Sequence, residues 1–292
     1  MRISAALIIA MLPVVAFAAQ APDWAFPDED FGPQPPADAV PAPAANAPRL
    51  PHDPAAPAIV TAGKDGGVRA CDGCHFVNGL GEPQTSALAG LPSTYFVQTM
   101  ADFRSGARKG PRAGNMITMA KMLTDEENKV IGDYYAALKP TLWIKVIESA
   151  TVPKTYVGPN NQRRLWPAGG DEPAGARVIE FAPDTFNLRG ANSQGFVAYV
   201  PPGSIARGET LVNTGGGKTV ACGTCHGSTW TGAVEVPGLA GRSPVYSARQ
   251  IYMYRNGDRG GPNGEIMKGV VANLEDSDII AIVAYLASRP PS

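Results

Sequence analysis

The sequence lacks an excess of either charge: 25 Lys and Arg stand against 26 Asp and Glu, for a formal net charge of −1. A chain so close to neutral carries no electrostatic footprint for nucleic acid or for an anionic membrane, both of which are gripped through clustered Lys and Arg. Cysteine is scarce as well. There are four in 292 residues, and all fall in two short clusters, Cys71/Cys74 and Cys222/Cys225, so none is left for a disulfide framework. Long apolar runs are missing except one, from Ile3 to about Ala18. It follows Arg2, is interrupted by Ser4 and Pro13, and ends in the small-x-small pattern Ala16-Phe17-Ala18, which predicts a cleaved secretory signal peptide over residues 1–19. Membrane association follows only if that segment stays uncleaved. The length suits about two domains rather than one large enzyme core.

Proline and glycine, by contrast, are abundant, with 28 and 33 copies. Residues 20–58 are dominated by Pro and Ala, a composition that predicts an extended, semi-rigid tether outside the cytoplasm. Trp24, Phe26 and Phe31 within it are candidates to fold back onto a domain. His52, also in the tether, reads as a solvated linker residue.

A shift of 151 residues aligns the chain with itself over two stretches of about 80 residues, without a gap from the first Cys of each. Cys71, Cys74 and His75 fall on Cys222, Cys225 and His226, Leu88-Ala89-Gly90 on Leu239-Ala240-Gly241, and Tyr95 on Tyr246. Farther on, Arg104, Arg108, Met116, Leu123 and Tyr134 match Arg255, Arg259, Met267, Leu274 and Tyr285. Duplicated domains ordinarily drift in loop length. The gap-free match therefore implies that the loop carrying Met116 or Met267 must reach a fixed point.

Each repeat reads as helical. Apolar side chains recur at helical spacing from Pro92 to Phe103 and from Pro244 to Tyr254, with Gly106 and Gly257 as stops. A last helix follows each Met loop: one opens on a Thr124/Glu127 capping box and presents Val130, Ile131, Tyr134, Tyr135 and Leu138, and the other runs from Asp276 to Ser288. The predicted organisation is all-α, with domains at 59–140 and 204–292 joined by a mostly irregular insertion, 141–203, rich in Pro, Gly and aromatics. Within the insertion only Arg177 to Phe181 and Gly195 to Val200 alternate enough to suggest short strands. Its aromatic content suggests that it wraps the two units together.

The chemistry lies in Cys-x-x-Cys-His, present twice. Two thiols one helical turn apart reach the two vinyl groups of a haem as thioethers, and the adjacent imidazole lies on the iron axis. A shared four-Cys zinc site would leave both His unexplained, since the pairs sit in separate repeats. A thioredoxin-like redox pair needs a βαβ context that is absent. For the opposite axial position, only Met116 and Met267 coincide by repeat, each 41 residues after its His; Met100, Met119, Met122 and Met253 read as core. A backbone carbonyl at Pro237, or at Ser86 in the first repeat, is placed to accept the Nδ1 proton of the proximal His. Arg104, Arg108, Arg255 and Arg259 read equally as propionate partners or as surface residues.

These motifs resemble the class I cytochromes c, and in particular the duplicated di-haem c-four type. The likeness rests on Cys-x-x-Cys-His, Leu-Ala-Gly, the helix Tyr-x3-Gln-x3-Tyr-Arg-x-Gly-x-Arg from Tyr246 to Arg259, and a Met seven residues before a Leu that leads into an acidic helix start. It departs at Thr99, where the pattern has Gln, and in the long insertion. The resemblance implies two covalently bound haem c groups held by Cys71, Cys74, Cys222 and Cys225, with His75 and His226 as proximal and Met116 and Met267 as distal iron ligands. It further implies a periplasmic electron carrier between a donor such as a quinol oxidoreductase or dehydrogenase and an acceptor such as a terminal oxidase or reductase. A haem subunit docked on a dehydrogenase is the alternative, followed by a di-haem enzyme of peroxidase or thiosulfate dehydrogenase type, which needs an open or unusual axial site.

Overall fold

The computed structural model describes residues 22–27, 32–40, 50–53, 55–184 and 194–291. Residues 1–19, which the sequence reads as a signal peptide, and Phe31 lie outside them. In the first repeat, α1 (Ala58–Thr61) and α2 (Asp72–His75) precede α3 (Ser93–Ser105), α4 (Gly114–Met122) and α5 (Asp125–Ala137). Pro92 opens α3, and Gly106 closes it in the left-handed conformation, φ 78°, that glycine adopts without a Cβ penalty. Thr124 and Glu127 form the full capping box on α5. The apolar face of α5 is narrower than its spacing suggests: Ile131 and Tyr135 are buried, while Val130 is 46% exposed.

The insertion is where the all-α expectation fails. Among the described residues it holds seven strands: β1 (Ile144–Glu148), β2 (Thr151–Pro153), β3 (Thr155–Gly158), β4 (Gln162–Leu165), β5 (Asp171–Pro173), β6 (Ile179–Phe181) and β7 (Phe196–Val200). They form a three-stranded sheet in the order β1-β7-β6 and two two-stranded sheets, β2-β5 and β3-β4. β1 and β7 run parallel with Ile144 opposite Phe196 and Val146 opposite Ala198. The cause is residue type: β-branched and aromatic side chains at alternate positions favour a pleated, half-buried surface, and Phe196, Ala198 and Val200 all turn inward.

The second repeat begins with α6 (Ser204–Thr214) and continues through α7 (Gly223–His226), α8 (Pro244–Arg255), α9 (Gly264–Val271) and α10 (Asp276–Ala287). α10 is buried along nearly all its length because α6, α8 and β1 each pack against it. A Cβ on Gly208 would lie 2.0 Å from the Ala281 carbonyl oxygen, so only glycine permits the close α6–α10 crossing. Ile144, Val178, Phe196 and Val200 of the insertion share one apolar cluster with Leu211, Tyr252 and Ile279, while Phe96, Met100, Ile131 and Tyr135 form a separate core in the first repeat. Trp24 joins the second-repeat cluster, edge-on to Tyr252 at 6.3 Å, so part of the tether does fold back.

The insertion also touches the first repeat. Trp143 Nε1 donates to the Gly81 carbonyl at 3.1 Å, and the Gln162 amide donates to Glu82. Toward the second repeat, the Ser243 hydroxyl and the Val245 N–H donate to Glu180 at 2.6 and 3.2 Å.

Candidate metal centres

Both Cys-x-x-Cys-His segments fold into a single helical turn. His75 N donates to Cys71 O at 2.9 Å, and His226 N to Cys222 O at 3.0 Å, which brings the first thiol and the imidazole to adjacent turns of one face. Cys71 and Cys222 are half-buried and Cys74 and Cys225 exposed, all as free thiols. Burial, with the Asp72 charge second, pushes the Cys71 thiol up to about 12, and burial pushes Cys222 up to about 11. Neutral thiols of this kind are the opposite of an activated redox pair. Among the described residues no three His, Cys, Asp or Glu side chains converge to hold an ion.

Each His is fixed by the predicted carbonyl. His75 Nδ1 donates to Ser86 O at 2.8 Å, and His226 Nδ1 to Pro237 O at 2.8 Å. The two contacts are equal in length although one acceptor belongs to Ser and the other to Pro. Burial holds both rings below the ordinary histidine pKa and hence neutral, with Nε2 free as a ligand atom. His52 is far from this role: its side chain is 59% exposed, and Nδ1 meets Asp72 at 2.7 Å.

Met116 and Met267 do not stand in loops, as the Gly/Pro-rich flanks suggested, but in the first turns of α4 and α9. Each helix opens on a glycine, Gly114 or Gly264, and an arginine holds the chain at or just beyond its C-terminal end. Arg104 donates to Ala120 O at 2.9 Å and Leu123 O at 2.8 Å, and its repeat mate Arg255 donates to Leu274 O at 3.1 Å. Arg104 thus caps α4, Arg255 holds the turn between α9 and α10, and neither is placed as a propionate partner. Met267 lines a largely apolar cleft together with Cys222, Cys225 and His226. Ser86, Leu91 and Tyr95 of the first repeat complete its wall. Met116 packs half-buried into the first-repeat core, whereas Met100 and Met253 are core residues, as their spacing predicts.

The seam between the repeats is pseudo-two-fold. Lys109 N donates to Asp258 O at 2.7 Å, and its repeat mate Gly260 N donates to Ala107 O at 2.8 Å. Arg108 and Arg259 lie at this pairing, 7% and 8% exposed. Arg108 donates to Tyr246 OH at 3.1 Å and to Gln250 Oε1 at 2.9 Å; Arg259 donates to Gln250 Oε1 at 3.0 Å and to Tyr95 OH. Among the described residues neither forms an ion pair with a carboxylate, and Arg108 Nε is buried without a hydrogen-bond partner. Buried guanidinium groups need an anion. Burial opposes ionisation of the Tyr246 hydroxyl, yet Arg108 and Arg259 outweigh it and pull the group down to about 7. A cluster that draws counter-charge from a phenol is short of carboxylates, and the two propionates of a haem supply them. With the paired thiols, the free imidazole Nε2 and the apolar cleft, the residues present fit haem c.

Sequence reasoning missed Gln250 as a shared acceptor and did not single out Arg242. The signal for Arg242 was a mismatch, since Leu91 holds its position in the first repeat directly after the matching Leu-Ala-Gly segments.

The cytochrome c family model matches residues 205–290. Cytochrome c-554(548) of Halomonas halodenitrificans is 35% identical over 88 residues, covering 30% of this chain and 98% of that protein. The thiosulfate dehydrogenase electron acceptor of Thiomonas intermedia is 27% identical over 226 residues, 76% of this chain and 80% of that one. Cytochrome c4 of Stutzerimonas stutzeri is 24% identical over 235 residues, 76% of this chain and 85% of that one. Among solved structures, the thiosulfate dehydrogenase TsdBA from Marichromatium purpuratum matches with a TM-score of 0.55 at 26% identity over 80% of this chain, which spans only 39% of that protein's length.

Proposed function

The chain belongs to the cytochrome c family, with cytochrome c4 among its relatives, and on that premise we propose that it is a periplasmic di-haem electron carrier rather than an enzyme. The observation that carries this reading is the duplicated proximal geometry, two imidazoles each donating Nδ1 to a carbonyl at 2.8 Å beside a free Cys pair. In this reading residues 59–140 and 204–292 each hold one haem c, through Cys71/Cys74 and Cys222/Cys225, with His75/Met116 and His226/Met267 as axial ligands. Each haem would supply one-electron redox chemistry, held by its Cys pair, an imidazole and a thioether.

The protein's own residues do the rest. The carbonyls of Ser86 and Pro237 fix the tautomer and raise the basicity of the imidazoles. The thioethers of Met116 and Met267 would hold the iron as well and favour its reduced state. Apolar walls exclude water, and Arg108 and Arg259 hold the propionate side at the seam. A filled coordination sphere suits outer-sphere exchange through a small transient interface. A haem-stained denaturing gel, a haem count of two per chain and a near-red absorption band of Met-bound ferric haem test the reading; high-spin iron in the purified protein refutes it.

A second reading follows from the thiosulfate dehydrogenase acceptor of Thiomonas intermedia and the TsdBA likeness: the electron donor is a thiosulfate dehydrogenase. Rapid reduction of this protein by such an enzyme and thiosulfate, and none by thiosulfate alone, supports it.

A further inference from the structure

Next to each proximal histidine's acceptor lies a second carbonyl, and one arginine takes both. The oxygens one residue beyond Ser86 and Pro237 are Ala87 O and Gly238 O, repeat mates of each other. Arg242 Nη1 donates to Ala87 O at 2.7 Å, and Arg242 Nε donates to Gly238 O. A single guanidinium thus closes a chain from His75 through Ser86-Ala87, across to Gly238-Pro237, and on to His226. No repeat mate shares the task, because Leu91 occupies the matching position. Arg242 lines the cleft that holds His226 and Met267, and it also lines the seam between the two Leu-Ala-Gly segments. Among the described residues no carboxylate forms an ion pair with it.

Two physical effects meet at this residue. A carbonyl that accepts from His Nδ1 tunes the imidazole's donor strength, and its orientation matters to that tuning. The planar guanidinium presents Nε and Nη1 to the two peptides in a fixed fork, a geometry that a lysine ammonium does not reproduce. Its charge, in a poorly solvated seam, also favours the reduced state of any nearby iron, more strongly for the nearer one.

We propose that Arg242 is a positioning residue that binds the proximal sides of both iron sites into one hydrogen-bonded unit and so sets the two reduction potentials jointly. The inference rests on the di-haem reading above. It is a statement about this chain's asymmetry, since the device exists on one repeat and serves both.

The test is spectroelectrochemical titration of the holoprotein and of Arg242→Leu and Arg242→Lys. Leucine is the first repeat's own residue at this position. Both midpoints fall in Arg242→Leu, the second by about tenfold in the reduction equilibrium, 59 mV for one electron, and the first by a smaller measurable amount. Arg242→Lys separates charge from geometry: the second midpoint stays near that of the wild type while the first shifts as in Arg242→Leu. A haem count and the near-red band are read on the same samples. Fewer than two haems in the wild type sinks the di-haem reading itself. Two haems with both bands intact, and an Arg242→Leu shift confined to the second centre, overturns the joint role. Where Arg242→Leu does not accumulate, Arg242→Lys and Arg242→Gln carry the test, and an unmoved first midpoint in both overturns it.

Discussion

Arg108 and Arg259 occupy the same place in the two repeats and meet at one acceptor, Gln250 Oε1, at 2.9 and 3.0 Å. The relationship is symmetric in its donors and asymmetric in its acceptor. Thr99, the repeat mate of Gln250, has no amide to offer, so one side chain from the second repeat serves both cations.

Replacing Gln250 by Thr therefore removes acceptors from two buried charges at once. Hydrogen bonds to charged groups are worth about 1.5–3 kcal/mol, so Gln250→Thr destabilises the holoprotein by about 3 kcal/mol in denaturant titration. Gln250→Glu, which offers a carboxylate to both guanidinium groups, retains wild-type stability or exceeds it. A loss under about 0.5 kcal/mol for Gln250→Thr shows that the seam does not depend on this hub.

The distal ligands are tested by volume-conserving swaps. Met→Leu keeps the apolar bulk at a cost usually under about 1.5 kcal/mol while deleting the sulfur. Met116→Leu and Met267→Leu each remove about half of the near-red band and lower the midpoint of one centre. Met119→Leu, at a half-buried helix position with Val270 as its repeat mate, leaves the band whole. Loss of band in Met119→Leu instead of Met116→Leu reassigns the first ligand.

Much of this arrangement was legible because it is written twice. The capping box at Thr124, the stop at Gly106 and the carbonyls of Ser86 and Pro237 follow from local residue type and spacing, and all three are found. The Met helices were not legible as helices, since a glycine opens each one and the contacts of Arg104 and Arg255 near their ends come from ten or more residues away in sequence. The insertion's sheet was legible in part: β6 and β7 fall in the two alternating runs, but the parallel pairing of β1 with β7 across a long gap leaves no turn signature between them. Arg242 escaped because its partners belong to different repeats.

The insertion's grip on the first repeat concentrates at Trp143, which donates to Gly81 O at 3.1 Å and packs edge-on to Phe76 at 6.5 Å. Excising the whole segment is a poor experiment, because Ile144 and Phe196 belong to the second repeat's core. Point changes isolate the contact. Trp143→Phe loses the hydrogen bond alone, about 1 kcal/mol, and Trp143→Ala loses ring packing as well, about 3 kcal/mol. Solution scattering of Trp143→Ala shows a larger separation between the two units; an unchanged profile means that the arginine seam alone sets their distance.

Glu180 makes the same assembly sensitive to pH. It is 2% exposed on β6, its Oε1 has no partner, and Ser243 and Val245 donate to its Oε2. Burial pushes its carboxyl up to about 7 from an ordinary 4.5, against the pull of those two donors and of the Arg249 charge. The unfolded chain releases this proton near 4.5 and the folded one only near 7, so between those values the unfolded state holds fewer protons. Stability from this group is therefore fully present below about pH 4.5, declines as the pH rises toward 7, and is level above it, a span on the order of 3 kcal/mol. Glu180→Gln keeps an acceptor for Ser243 and Val245 and removes the titration. Guanidinium denaturation at pH 4.5 and 7.5 then shows the variant gaining on the wild type by about 3 kcal/mol across the interval. A difference that does not change with pH means that Glu180 ionises normally in the folded protein and that the insertion docks without a buried proton.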